Sequence, residues 1–293
     1  MRIDVRDKAF EIVNSLILIG LCVITLAPFL NVVAKSLSSE TAILMGRVTV
    51  YPVDINLRSY AYVLQSSDFF RAFGVQAAVT VGGTAFAMVL TLMMAYPLSR
   101  PRLRGKNVIL VMVVITMIFN VGIVPNYMLI RGLGLVNSLL SLVVPLAFNG
   151  FNMFIVRSYM QTIPESVVES ATIDGANHAQ ILLWIIIPFA VPVIATIGLF
   201  FAVTYWNDYF HAMIYLTRAS LKPLQLYLRE IIYSSLDPQG STGTQQTGES
   251  FMFVSPISVR AATIIASTIP ILLVYPFLQR FYIKGIVIGS VKQ

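Results

Sequence analysis

Thr162 to Pro192 reads T-I-P-E-S-V-V-E-S-A-T-I-D-G-A-N-H-A-Q-I-L-L-W-I-I-I-P-F-A-V-P, and within these residues the chain changes character. Thr162 followed three residues later by Glu165 is the signature of a capping box, and Pro164 suits the first turn of a helix, where a missing N–H costs little. A short helix is expected to start there. It has to stop before Gly175, because glycine is a poor helix former and lets the backbone turn sharply. Beyond that turn a long apolar segment begins. The stretch therefore predicts a small polar helix docked against a membrane span.

Composition places the whole chain in the same setting. Hydrophobic residues make up 57% and charged residues 11%, with a mean hydropathy of +0.81, far more apolar than a soluble domain. Runs free of Asp, Glu, Lys and Arg cover 12–34, 72–99, 107–130, 132–156, 175–207 and 261–279. Each is long enough to cross a bilayer at about 1.5 Å per residue. An all-α membrane protein with six transmembrane helices is the expected fold class. Arg2, Arg6 and Lys8 precede the first run, but no small-residue cleavage site follows it and Pro28 lies deep inside it, so it reads as a retained helix.

Orientation comes from Arg100-Pro-Arg-Leu-Arg-Gly-Lys106, a short loop with four positive charges and no acid, which the positive-inside rule places in the cytoplasm. Both termini and the loop carrying Glu169 then fall on that same side. The net charge of +7 asks for no nucleic acid, since Arg280, Lys284 and Lys292 also lie on the cytoplasmic side. Cys22 is the one cysteine, so no internal disulfide can form.

Glu169-Ser170-Ala171, then Gly175, then Ile187-Pro188 resembles the E-A-A, Gly, I-x-L-P loop of ATP-binding-cassette importer permeases, with Ser170 and Ile187 as the two departures. Further resemblance lies in K-S-L-S-S at Lys35 with N-L-R-S-Y at Asn56, in W-N-D-Y-F at Trp206, and in the tail Gln279-Arg-Phe-Tyr-Ile-Lys-Gly285 with Gly289-Ser-Val-Lys292. These look like carbohydrate-type permeases of the type I importer class, nearest to those for oligo- or polysaccharides such as alginate. The resemblance implies one transmembrane permease domain over 1–293, with spans near 12–34, 73–99, 107–130, 137–157, 181–206 and 259–280. It makes 162–180 a cytoplasmic coupling loop and 35–72 and 207–258 external loops. In that family the coupling helix sits in a cleft of a separate ATPase, and here Glu165, Glu169, Ser170, Ala171, Asp174 and Gly175 would carry the role. An ordinary interfacial helix is the alternative.

The remaining segments give local expectations. Asn56 to Leu64 reads as a short amphipathic helix with an Asn cap. Gly82-Gly83, with Ala78, Ala85 and Ala87, offers a surface that another helix can approach closely. No G-x-x-x-x-G-K-[ST] occurs anywhere, so the chain has no phosphate-binding loop of its own and is not itself an ATPase. Pro188 and Pro192 should bend or loosen the fifth span, and Pro270 and Pro276 the sixth. Asp237 to Ser250, rich in Gly, Gln, Ser and Thr, is expected to be a mobile loop.

Ion-coupled carriers hold ionisable groups inside the membrane, and the six runs contain no Asp, Glu, Lys or Arg. His178 and His211 lie at opposite ends of the fifth span, which excludes a shared metal or catalytic site. Energy has to enter from outside the spans, as it would through an ATPase pushing on Glu169's helix. A stand-alone channel or facilitator for a small polar solute is the alternative. The family resemblance implies a second homologous permease, an ATPase dimer that binds ATP and Mg, an external solute-binding protein, membrane lipid around the spans, and residence in a bacterial inner membrane. Asn120, Asn149, Asn152, Tyr205, Trp206 and Asn207 are the polar and aromatic groups that could line a solute path. Bridging between helices and anchoring at the lipid interface are their alternative roles.

Overall fold

The computed structural model of the chain describes residues 5–119, 121–234, 256–270 and 272–273. Every regular element among them is helical. Packing divides them into two compact units, one formed by 5–69 with 228–234 and 256–270, the other by 70–227 with 272–273.

In the first unit, α1 (Val5–Leu37) runs unbroken through Pro28. Its residues from Phe10 to Leu26 are almost all exposed, with apolar side chains such as Phe10, Leu16 and Ile24 bare. So long an apolar exposed face suits hydrocarbon and not water. Past Ala34 the chain folds into a small apolar nucleus of Ala34, Ala42, Ile43 and Val48. α2 (Glu40–Leu44) is capped by Ser39, whose side chain accepts from the Ala42 N–H. Ser38 donates to the Ala34 carbonyl at 2.6 Å and accepts the Val53 N–H at 3.0 Å. Ser36 and the Tyr60 hydroxyl of α3 (Arg58–Gln65) meet at 2.8 Å. Asn56 is not the N-cap of α3; that place is held by Leu57, and Asn56 instead accepts the Arg58 N–H at 2.9 Å in a local turn.

The second unit takes up α4 (Ser67–Ser99) from Phe70 on. Next come α5 (Lys106–Ile118) and α6 (Ile123–Gly132), so the third apolar run is two helices. The fourth run is also broken. α7 (Leu140–Val143) passes into a 3₁₀ turn at Val144–Leu146, and α8 (Gly150–Met160) leaves at an angle of 56°. Pro145 explains the break, since it brings no N–H and its ring crowds the preceding turn. α9 (Glu165–Ile173), α10 (His178–Gln180), a π-helical stretch (Ile181–Ile186) and α11 (Ile187–Asn207) follow. The π stretch ends where Pro188 would break α-helical bonding, which is the expected loosening of the fifth span. α12 (Phe210–Tyr215), a 3₁₀ turn at Ala219–Leu221 and α13 (Leu224–Ser234) lead on, and residues 256–270 are again helical. The core of this unit gathers Leu142, Met153, Val156, Met160, Ile181, Ile186, Ile197, Phe201 and Tyr205.

Among the described residues three helices are long and apolar enough to cross a bilayer, Phe10–Leu37, Ser67–Ser99 and His178–Asn207, and the two broken pairs raise the number to five. The sixth expected span is helical as far as residue 270. Pro276, the tail motif and the 237–250 loop lie outside the described residues.

Candidate coupling loop and solute path

The loop between α8 and α11 is built from side-chain chemistry at each turn. Thr162 does not cap α9: its hydroxyl donates back to the Tyr159 carbonyl at 2.8 Å, and Pro164 is the N-cap without any side-chain bond. The reason is Pro164 itself, which disfavours helical backbone at Ile163. The helix has to begin after the proline, so Glu165 becomes its first residue and cannot reach back as the third. A reciprocal capping box does form, one loop later. Asn177 accepts the Gln180 N–H at 2.9 Å while the Gln180 side chain accepts the Asn177 N–H at 2.8 Å.

α9 is held by one face. Val168 and Ala171 pack on the core and Ile163 is buried beside them, while Glu165, Ser166, Glu169, Ser170 and Thr172 are exposed. Ile173, the last helical residue, is 86% exposed. The helix closes with a Schellman motif: the Ala176 N–H bonds the Ala171 carbonyl at 3.0 Å and the Gly175 N–H bonds the Thr172 carbonyl at 3.1 Å. Gly175 takes φ +83°, a left-handed conformation open to glycine. Asp174, exposed, is the C-cap. Ser170 donates to the Ser166 carbonyl at 2.9 Å.

Glu165 and Glu169 lie four apart on the exposed side, as expected, but Glu169 already has a partner within the chain. Arg102, from the loop between α4 and α5, donates to its carboxylate at 3.1 Å. Both side chains are largely in solvent, so the pair itself contributes only about 0.2–1 kcal/mol. Its meaning is geometric: the basic loop and α9 share one end of the unit.

The candidate path residues separate. Asn120 lies outside the described residues. Asn149 and Asn152 do not present a common helical face: Asn149 is the N-cap of α8 with extended backbone, and its side-chain Oδ1 accepts the Asn152 N–H at 3.0 Å. Asn149 is exposed, whereas Asn152 is 7% exposed. The break after Pro145 causes the difference, because it moves the helix start to Gly150 and leaves Asn149 where asparagine is preferred.

Tyr205 neither anchors at an interface nor faces an opening. It is 1% exposed, its hydroxyl donates to the Val143 carbonyl at 2.9 Å, and its own carbonyl accepts from Gln76 Nε2 at 2.9 Å. The ring rests on Gly83, where an added Cβ would lie 2.7 Å from it. Of the Gly82-Gly83 pair only Gly83 meets a close approach, made by an aromatic ring; Gly82 is exposed with open space around it. Trp206 is half-buried, packed edge-on to Phe73 with centroids 6.0 Å apart, and Asn207 is exposed and donates to the Val203 carbonyl at 2.9 Å.

Beyond α11, Asp208 accepts the His211 backbone N–H at 3.3 Å and meets its Nδ1 at 2.9 Å. Tyr215 stacks with Tyr127 and with His211, at centroid distances of 6.1 and 5.9 Å. Burial, and after it the Asp208 carboxylate, raises the Tyr215 phenol above its ordinary range. Asn137, with φ +60°, ties this end together by accepting from the Thr217 N–H, the Thr217 hydroxyl and the Arg218 N–H. Arg102, Gln76, Tyr127 and Asn137 carry no local signal of these roles, because each partner lies tens of residues away in sequence.

Residues 43–288 match the family described as binding-protein-dependent transport system inner membrane component. Protein LplC of Bacillus subtilis is 38% identical over 97% of this chain and 95% of its own length. The polygalacturonan/rhamnogalacturonan transport system permease protein YtcP of the same organism is 37% identical over 98% of this chain and 99% of its own. Among solved structures, a chain of a bacterial ABC transporter involved in import of the acidic polysaccharide alginate superposes with a TM-score of 0.88 at 34% identity, covering 95% of this chain and 98% of that one. With the match spanning most of its length, the chain belongs to the family of binding-protein-dependent transport system inner membrane components.

Proposed function

We propose that this chain is the membrane-spanning permease subunit of an ATP-driven importer that carries an oligo- or polysaccharide across the bacterial inner membrane. An external binding protein delivers the solute. A second homologous permease completes the pathway, and an ATPase dimer binds ATP and Mg and does the hydrolysis. Residues 1–293 form one permease domain in this reading. The saccharide class is supported by the relatives, which include permeases for polygalacturonan or rhamnogalacturonan and for arabinooligosaccharides, and by the alginate importer.

The observation that carries the coupling role is α9: a helix held by Val168 and Ala171, with Glu165, Glu169, Ser170 and Asp174 in solvent and a left-handed Gly175 fixing its exit. The turn at Gly175 leads through α10 directly into the π stretch of the fifth span, so a push on α9 is delivered to a span already loosened at Pro188. Orientation follows from charge. The loop 100–106 is cytoplasmic by its four basic residues. The Arg102–Glu169 pair supports the same side for α9, and both termini are cytoplasmic.

Reconstitution of the chain with its second permease, ATPase and binding protein in proteoliposomes tests the function. Uptake of at least one of oligogalacturonide, arabino-oligosaccharide or alginate oligosaccharide, dependent on ATP and on the binding protein, is the expected result. Uptake that proceeds without ATP, or with this chain alone, refutes it.

A further inference from the structure

On α4, Gln76, Thr80, Thr84 and Thr91 recur at intervals of four, four and seven residues. At 3.6 residues per turn these positions share one helix face. Gly83 and Ala87 stand between them and Ala95 one turn beyond Thr91, all buried, so small residues alternate with the hydroxyl-bearing ones along this face. Gln76 is satisfied on both sides, by the Tyr205 carbonyl and the Gln225 N–H. The threonines are not: the hydroxyls of Thr80, Thr84 and Thr91 are shut off from solvent and have no hydrogen-bond partner, and Thr91 is 0% exposed.

A helical threonine ordinarily donates to a carbonyl one turn back. Thr25, Thr116, Thr196, Thr204 and Thr263 all do so in this chain. Three hydroxyls on one face of α4 forgo that bond. A second element adds to them, since the indole N–H of Trp206 is also buried and unpaired, and its ring packs on Phe73, one turn before Gln76. Buried polar groups without partners are costly, and more so at membrane depth, which marks them as groups kept for something that comes and goes.

We infer that this face of α4, with Trp206 at one end, is a wall of the track along which the saccharide moves. The inference rests on the reading of the chain as a saccharide permease. Hydroxyls both donate and accept, so three of them in line can exchange hydrogen bonds with successive sugar hydroxyls, and the indole offers a donor and a ring face at the entry. From residue 76 to 91 the helix rises roughly 22 Å, most of a hydrocarbon core of about 30 Å. In this structure the Tyr205 ring covers Gly83, so a solute passes along this face only once α11 parts from α4.

The test uses the full reconstituted complex with oligogalacturonide, arabino-oligosaccharide and alginate oligosaccharide as probes. Valine matches threonine in shape and removes the hydroxyl; serine keeps it. The combined T80V/T84V/T91V variant should lower the uptake rate about tenfold at saturating binding protein, and T80S/T84S/T91S should stay within about twofold of wild type. Thr25→Val, in α1, serves as the unaffected control. Wild-type uptake by the valine variant overturns the inference, as does equal loss in the valine and serine variants, which makes the face a packing surface or a file of ordered water. If the combined valine variant fails to assemble, T91V alone is read, and loss without rescue by T91S overturns the inference. Failure of the wild-type complex to take up any probe instead strikes the underlying reading.

Discussion

The Tyr205 hydroxyl donates to the Val143 carbonyl, and it does so where the fourth span is broken. In an unbroken helix the Ala147 N–H would reach that carbonyl; here it bonds Val144 instead, in the 3₁₀ turn around Pro145. A freed carbonyl at membrane depth needs another donor. α11 supplies one, and Gly83 on α4 makes space for the ring that carries it. Tyr205→Phe should lower stability by about 1–2 kcal/mol. Gly83→Ala should cost about 1–3 kcal/mol by overpacking. Thermal unfolding of the detergent-purified complex measures both, and non-additivity in the double variant is expected because the two changes meet at one contact.

At Gly175 the left-handed backbone sets the result. A side chain at φ +83° costs roughly 1–2 kcal/mol, least for asparagine and most for a β-branched residue. Gly175→Asn should keep most ATP-driven uptake, and Gly175→Val should reduce it roughly tenfold while the complex still inserts. Equal activity in both variants would mean that the exit angle of α9 does not matter.

Glu169 has two candidate partners, Arg102 in its own chain and a basic surface on the ATPase, and a charge swap separates them. Glu169→Lys should cut uptake. The double variant R102E/E169K restores an intramolecular pair, worth about 0.2–1 kcal/mol, but still presents the wrong charge to the ATPase. It should remain defective. Recovery of uptake in the double variant assigns Glu169 to the internal pair alone.

Asn149 should behave as a helix cap. Asn149→Leu is expected to destabilise by about 1 kcal/mol, and Asn149→Ser by much less, with the order of preference among saccharides unchanged in both. Uptake assays beside thermal unfolding check this, and a switch in saccharide preference would return Asn149 to the solute path.

The all-helical membrane fold was legible because charge-free runs of bilayer length leave little choice, although among the described residues three runs form single spanning helices and two are bent pairs; the stop of α9 before Gly175 was legible because glycine is made for that turn. Breaks within spans were harder. Pro145 was visible, but its consequence, a cap at Asn149 in place of a two-asparagine face, depends on where the next helix restarts. Thr162 and Glu165 had capping-box spacing and failed on the backbone restriction Pro164 places on Ile163. Asn177 and Gln180 had the same spacing, formed the box, and went unread. Tyr205, near the end of a span, reads as a solute-path residue or, alternatively, an interfacial anchor; its partners, Val143 and Gly83, are 62 and 122 residues away, a distance no local pattern reports.

The central claim is that α9 docks on an ATPase in the cytoplasm, and Ile173, exposed at the helix end, gives the most direct access to it. With Cys22, the chain's one cysteine, replaced by alanine and Ile173 by cysteine, the assembled complex can be treated with a short thiol-reactive cross-linker and the products identified by mass spectrometry. The account predicts a product joining this position to the ATPase subunit, with a yield that changes when ATP is added. A product joining it to the external binding protein, or labelling of the new thiol by a membrane-impermeant reagent outside the sealed inner membrane, would contradict it.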